Sequence, residues 1–202
     1  MASSHDVATL AIPGGRSLDS HTSSLLFPLY QAGTFVHDAV GVDKGFSHSR
    51  VSNPTVDALE RAIGALEGTP PSVCFRTGLA AESTLFFSVL KAGDHAILSK
   101  VLYGGTIRLF REILEPFGVT ASFVDTSDAA NVEAAITRQT SIVFIESPTN
   151  PILTLTDIAA VAEITKRYGL LLAVDNTFLT PAPQRPLELG ADISVLSTTE
   201  IR

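Results

Sequence analysis

Five apolar residues, Leu170-Leu171-Leu172-Ala173-Val174, run without interruption into Asp175-Asn176-Thr177. A strand with one wet face alternates polar and apolar residues. This run has no polar face, so it belongs to a parallel sheet covered on both sides. It also ends in a carboxylate, which such a sheet delivers to the rim where ligands bind. A second run, Ile193-Ser194-Val195-Leu196, follows and leads into Ser197-Thr198-Thr199-Glu200.

Upstream, the pattern repeats. Asn53-Pro54-Thr55 supplies a cap and an N1 proline, and Val56, Leu59, Ala62, Ile63 and Leu66 then recur at helical spacing as far as Gly68. Strand-like and helix-like segments alternate from there. Strands are expected at Ser72–Phe75, His95–Leu98, Thr120–Val124 and Ser141–Glu146, and helices at Leu79–Leu90, Gly105–Pro116, Ala129–Ile136 and Leu155–Tyr168. This order predicts right-handed βαβ crossovers and a three-layer α/β/α sandwich with a mainly parallel sheet. Residues 1–52 lack such periodicity and read as an extended arm with one short helix.

Composition narrows the function. A net charge of −7 gives nothing to draw the chain to nucleic acid or an anionic membrane. No run approaches the ~18 apolar residues of a membrane span, and the first residues lack the basic and apolar regions of a signal peptide. A cytoplasmic location is expected. A single cysteine, Cys74, excludes an internal disulfide, and its strand-like surroundings suit a small hydrophobe better than a nucleophile. The five histidines neither cluster with cysteine nor show HExxH spacing, so no metal is expected. GxGxxG, GxxxxGK[ST] and GxSxG are all missing, which removes direct support for a dinucleotide site, a P-loop or a serine hydrolase.

The loops after the expected strands carry the remaining signal. Arg76-Thr77-Gly78-Leu79 opens a helix, where a glycine admits close approach and free N–H groups face an anion. Leu102-Tyr103-Gly104-Gly105-Thr106 puts a flat ring at the rim with little bulk behind it. Glu146-Ser147-Pro148-Thr149-Asn150-Pro151 is a proline-fixed loop presenting Glu146 and Asn150. Each loop, taken alone, is also what an ordinary rigid turn looks like.

Together these loops resemble the cysteine/methionine-metabolism (transsulfuration) family of pyridoxal-phosphate enzymes, which includes cystathionine γ-synthase, the cystathionine lyases, methionine γ-lyase and the homoserine sulfhydrylases. The resemblance runs from about Leu26 to Thr199. Besides the three loops, it rests on Ser49-Arg50-Val51-Ser52-Asn53-Pro54-Thr55, Val174-Asp175-Asn176-Thr177, Arg185-Pro186-Leu187-Glu188-Leu189-Gly190-Ala191-Asp192 and Ser197-Thr198-Thr199. It implies a type I pyridoxal-phosphate fold like that of aspartate aminotransferase, a homo-oligomer, and an amino-acid substrate derived from homoserine or cysteine. It also implies roles. Asp175 would keep the pyridine nitrogen protonated. Thr77, Gly78, Leu79, Ser197 and Thr199 would surround the 5′-phosphate, with Arg50 lent to a neighbouring subunit's phosphate. Tyr103 would stack on the ring, and Asn150 would approach the 3′-oxygen. Gly105 stands where methionine γ-lyases tend to carry cysteine, which favours a synthase, a sulfhydrylase or a cystathionine lyase.

Two positions depart from the family. His48 replaces a tyrosine just before Ser49-Arg50, and Glu200 stands where the Schiff-base lysine is expected. A carboxylate forms no imine, so no catalytic residue is assigned and the 202-residue chain is expected to be inactive. Its domains are read as the arm (1–52) and an incomplete cofactor-binding domain (53–202), without the family's C-terminal substrate domain. A splice form, a frameshift or a gene truncation would each give this ending. Two functions follow. One is a transsulfuration-type enzyme catalysing β/γ-elimination or γ-replacement. The other is a non-catalytic fragment or degenerate paralogue that binds the cofactor weakly or associates with full-length subunits.

Overall fold

The computed structural model describes residues 7–12, 19 and 21–199. The chain divides into two compact units, Met1–Cys74 and Phe75–Arg202.

In the first unit, a short helix α1 (Val7–Leu10) and a longer α2 (Pro54–Glu67) flank irregular chain with isolated bridges pairing Thr34 with His48 and Ala39 with Val42. Asn53 starts α2 as its side chain predicts: Oδ1 accepts from Thr55 N–H at 2.8 Å. Its Nδ2 donates to the Tyr30 carbonyl and to Ser49 Oγ, tying the irregular segment to the helix start. The expected strand at Ser72–Phe75 does not form. Its alternation resembles a strand, yet among the described residues it has no strand to pair with. The Ser72 and Cys74 amides are instead taken up by the Glu60 carbonyl and carboxylate. Cys74 is half-buried, and burial raises its thiol pKa, so it is held in the unreactive thiol form.

The second unit contains five parallel strands: β1 (His95–Ser99), β2 (Thr120–Val124), β3 (Thr140–Glu146), β4 (Leu171–Asp175) and β5 (Ile193–Val195). Their order across the sheet is β2-β1-β3-β4-β5. Residue parity divides them between two cores. Ala96, Leu98, Ile142, Phe144, Ala173 and Val195 pack with Phe86 of α3 (Gly78–Val89) and with Leu109, Phe110 and Leu114. Ile97, Val143, Ile145, Leu172 and Val174 pack on the other face. There they meet Val132 of α5 (Ala129–Ala134) and Ile158, Val161 and Ala162 of α6 (Ile158–Tyr168). The result is the expected three-layer α/β/α arrangement.

Crossover handedness explains which helix lies on which face. The connection from β1 to β2, through α4 (Gly104–Arg108), moves outward along the sheet, whereas those from β2 to β3 and β3 to β4 move the opposite way. Right-handed crossovers in opposite directions place helices on opposite faces. The reversal falls between β1 and β3, and in sheets of this kind ligands bind beyond the carboxyl ends of the strands near such a reversal.

Two helices differ from expectation by more than two residues or in type. The predicted Gly105–Pro116 helix is α4 followed by a π-helical turn, Leu109–Leu114. The turn's buried residues, Leu109, Phe110 and Leu114, all join the core on the α3 side of the sheet. Helix α6 begins at Ile158 rather than Leu155, because Asp157 caps it by accepting from Ala160 N–H at 3.0 Å. Thr156 is drawn into the loop instead, donating its N–H to Ser147 Oγ and hydrogen-bonding Thr126 through its hydroxyl.

Candidate cofactor site

Strands β3 and β4 end in register, Glu146 opposite Asp175. Two residues beyond Phe144 and Ala173, both carboxylates point to the face covered by α3. Both are buried. Asp175 is fixed by Thr177, whose N–H and hydroxyl donate to Oδ1 at 2.9 and 2.5 Å. Thr177 Oγ1 in turn accepts from Ser197 N–H at 2.9 Å, so one threonine couples the exits of β4 and β5.

Glu146 organises two loops at once. Its Oε2 accepts from Tyr103 N–H at 2.8 Å and its Oε1 from Asn150 N–H at 2.6 Å. The prolines of the Asn150 loop are both in cis peptide bonds, at Ser147-Pro148 and Asn150-Pro151. Helix α3 starts where Thr77 caps it, Oγ1 accepting from Ala80 N–H at 3.0 Å. The Gly78 and Leu79 amides, in the first turn, have no carbonyl one turn earlier to receive them. A side chain at Gly78 would press on Ser197, since a Cβ there would lie 3.1 Å from Ser197 Cβ. Glycine therefore lets the helix start and the β5 exit close on one another.

These groups surround a cavity of about 250 Å³ within the second unit. Thr77, Gly78, Leu79 and Tyr103 line it, as do Asn150, Asp175, Ser197 and Thr199. The structure thus brings together eight of the residues singled out from sequence. Arg50 lies in the first unit, exposed, its N–H donating to His48 Nδ1. Glu200 lies outside the described residues. Glu82 and Thr177 also border the cavity and were not assigned roles from sequence. Glu82 had a readable signal: with Leu79 and Phe86 it falls at i, i+3, i+7 on one stripe of α3.

The electrostatics are lopsided. Among the described residues, no Lys, Arg or His lines the cavity. Glu82 is only 3% exposed, and burial, partly opposed by the Thr106 hydroxyl and reinforced by Asp175 and Glu146, pushes its pKa up to about 7. Burial likewise raises Glu146 to about 7, against its two backbone hydrogen bonds and with Asp175 adding to the rise. The lining thus combines clustered acids with the helix-start residues Gly78 and Leu79 and the hydroxyl residues Ser197 and Thr199. This donor set suits a ligand with an anionic group at one end and a protonatable nitrogen at the other. Pyridoxal phosphate has that polarity. Among the described residues, no three His, Cys, Asp or Glu side chains are grouped to hold a metal ion, and no helix is long and apolar enough to cross a membrane.

Comparison with known proteins gives a consistent result. The family model for Cys/Met metabolism PLP-dependent enzymes matches residues 8–201. A probable cystathionine gamma-synthase of Herpetosiphon aurantiacus is 42% identical over 96% of this chain and 60% of its own length. The cystathionine gamma-lyase of Mus musculus is 47% identical over 96% of this chain and 49% of its own length. Among solved structures, metB from Corynebacterium glutamicum superposes with a TM-score of 0.94 at 41% identity, covering 98% of this chain and 52% of that one. The chain belongs to the Cys/Met-metabolism family of pyridoxal-phosphate-dependent enzymes. It spans about half the length of the curated relatives it matches.

Proposed function

We propose that this chain carries the cofactor-binding site of a transsulfuration-type enzyme, one acting by β/γ-elimination or γ-replacement on homoserine- or cysteine-derived amino acids. The observation that carries the reading is the polarity of the cavity, with amide and hydroxyl donors on one side and Asp175 on the other. Bound pyridoxal phosphate supplies an electron sink that weakens the bonds of a substrate amino acid. The chain's part is to bind and orient. The Gly78 and Leu79 amides and the Ser197 and Thr199 hydroxyls would hold the phosphate, with Thr77 framing it. Asp175, braced by Thr177, would keep a proton on the ring nitrogen, because a fixed carboxylate favours the cationic form. Tyr103 would cover the ring face and Asn150 would approach the 3′-oxygen.

Glu200 supports a second reading for this polypeptide. With a carboxylate where the family has its lysine, the chain binds the cofactor reversibly and does not turn over substrate. Lys44, Lys91, Lys100 and Lys166 do not line the cavity and offer no substitute amine. Equilibrium dialysis against pyridoxal phosphate, followed by borohydride reduction and peptide mapping, tests both readings. The expected result is one saturable, dialysable equivalent without stoichiometric pyridoxyl label on any lysine. Absence of saturable binding would contradict the first reading. One labelled lysine together with turnover of cystathionine would contradict the second.

We also propose self-association in the cytoplasm through the first unit, with Arg50 serving a neighbour's phosphate. Leu25, Val36 and Val51 there are 84%, 89% and 82% exposed, and Val56 and Leu59 of α2 are also exposed. Light scattering at micromolar concentration should give a mass at least twice that of the 21.4 kDa chain. A monodisperse monomer would contradict this proposal.

A further inference from the structure

We propose that Glu82 is a positioning residue of this site: through Thr106 it braces the turn that carries Tyr103, and so sets where the tyrosine ring stands at the cavity. The meaning for function rests on the cofactor reading above, but the brace itself is a property of the unliganded chain.

The geometry is a chain of three hydrogen bonds, the first of them buried. Thr106 Oγ1 donates to Glu82 Oε2 at 2.5 Å, joining α4 to α3, and both residues are almost fully buried. Thr106 N–H donates back to the Tyr103 carbonyl at 3.0 Å. On its other side, Tyr103 N–H donates to Glu146. The Tyr103 backbone is therefore held at its carbonyl by a path from Glu82 and at its amide by Glu146.

The ring lies against the next turn. A Cβ on Gly105 would come within 2.3 Å of Tyr103 Cε1, so any larger residue at 105 must displace the ring. Tyr103 is 48% exposed. Burying a carboxyl group here is costly, and an apolar residue on this stripe of α3 would avoid that cost. What the acid adds is an acceptor for Thr106. That bond survives titration, because Thr106 O–H donates to Glu82 Oε2 whether the other oxygen carries a proton or not.

The test uses the protein free of cofactor, labelled with 3-fluorotyrosine. The chain has three tyrosines, Tyr30, Tyr103 and Tyr168, so the fluorine spectrum should show three assignable signals, with Tyr103 identified by Tyr103→Phe. Glu82→Ala and Thr106→Val should each shift or broaden the Tyr103 signal, leaving Tyr30 and Tyr168 in place. Glu82→Gln should leave it near its wild-type position, because the amide oxygen still accepts from Thr106. Gly105→Ala is the positive control for a displaced ring. In dialysis, Glu82→Ala and Thr106→Val should weaken pyridoxal-phosphate binding about tenfold, the worth of one well-placed aromatic contact. An unmoved Tyr103 signal in folded Thr106→Val protein, or equal disturbance by Glu82→Gln and Glu82→Ala, would overturn the brace. If Glu82→Ala does not fold, Thr106→Val with rescue by Thr106→Ser decides the question. If the wild type binds no pyridoxal phosphate while the fluorine pattern holds, the cofactor reading fails and the brace stands.

Discussion

Glu82→Gln should be more stable than the wild type at pH 8 by about 3 kcal/mol, and the advantage should vanish near pH 4.5. The carboxyl rises from 4.5 to about 7 on folding, because burial and the neighbouring Asp175 and Glu146 disfavour its charge. Between those values the folded chain binds a proton that the unfolded chain has lost. Unfolding then becomes easier as pH rises, and the stability tied to the proton is gone above about pH 7. A rise from 4.5 to about 7 corresponds to about 3 kcal/mol. Glutamine preserves the Thr106 hydrogen bond and does not titrate, so it removes this slope. Urea unfolding of both proteins at several pH values measures it. Curves that stay parallel from pH 5 to pH 8 would show that Glu82 is charged in the fold throughout.

Asp175→Ala should lower pyridoxal-phosphate affinity about a hundredfold, and Asp175→Asn about tenfold. In the proposed binding mode, alanine removes the carboxylate that would hold a proton on the ring nitrogen. It also frees Thr177, whose hydroxyl then no longer holds a fixed orientation toward Ser197 N–H, so the β5 exit proposed to hold the phosphate loosens as well. Asparagine still offers Thr177 an acceptor oxygen, so it loses mainly the charge. A second consequence separates this account from simple damage. Asp175 raises the pKa values of both Glu82 and Glu146, so removing its charge should lower both. Carboxylate titrations followed by NMR would read that shift. Equal affinity in all three proteins would remove Asp175 from the binding machinery.

The sheet was legible because its central strands are buried on both faces. Ile142–Ile145 and Leu172–Val174 have no choice but to be apolar throughout. Ser72–Phe75 misled because strand pairing is decided by a neighbour that local alternation does not reveal. The start of α6 misled for a related reason. Thr156 is compatible with a helix by propensity, but Ser147 and Thr126 compete for it across the fold. At the site, glycine and proline mark the loops, and position after successive strands predicts their convergence. Glu82 escaped because a helical glutamate ordinarily faces water, and only the stripe it shares with Leu79 and Phe86 argues otherwise. Thr177 escaped because its hydroxyl links Asp175 to the Ser197 amide twenty residues on, which no spacing rule encodes.

Amide chemical-shift perturbation on titration with pyridoxal phosphate locates the cofactor on the chain. Saturable shifts are expected at the Gly78, Leu79 and Ser197 amides, with Thr177 following because it links Asp175 to Ser197. Saturable shifts confined to the surroundings of surface lysines such as Lys91 and Lys100, with the Gly78 and Ser197 amides unmoved, would contradict that placement.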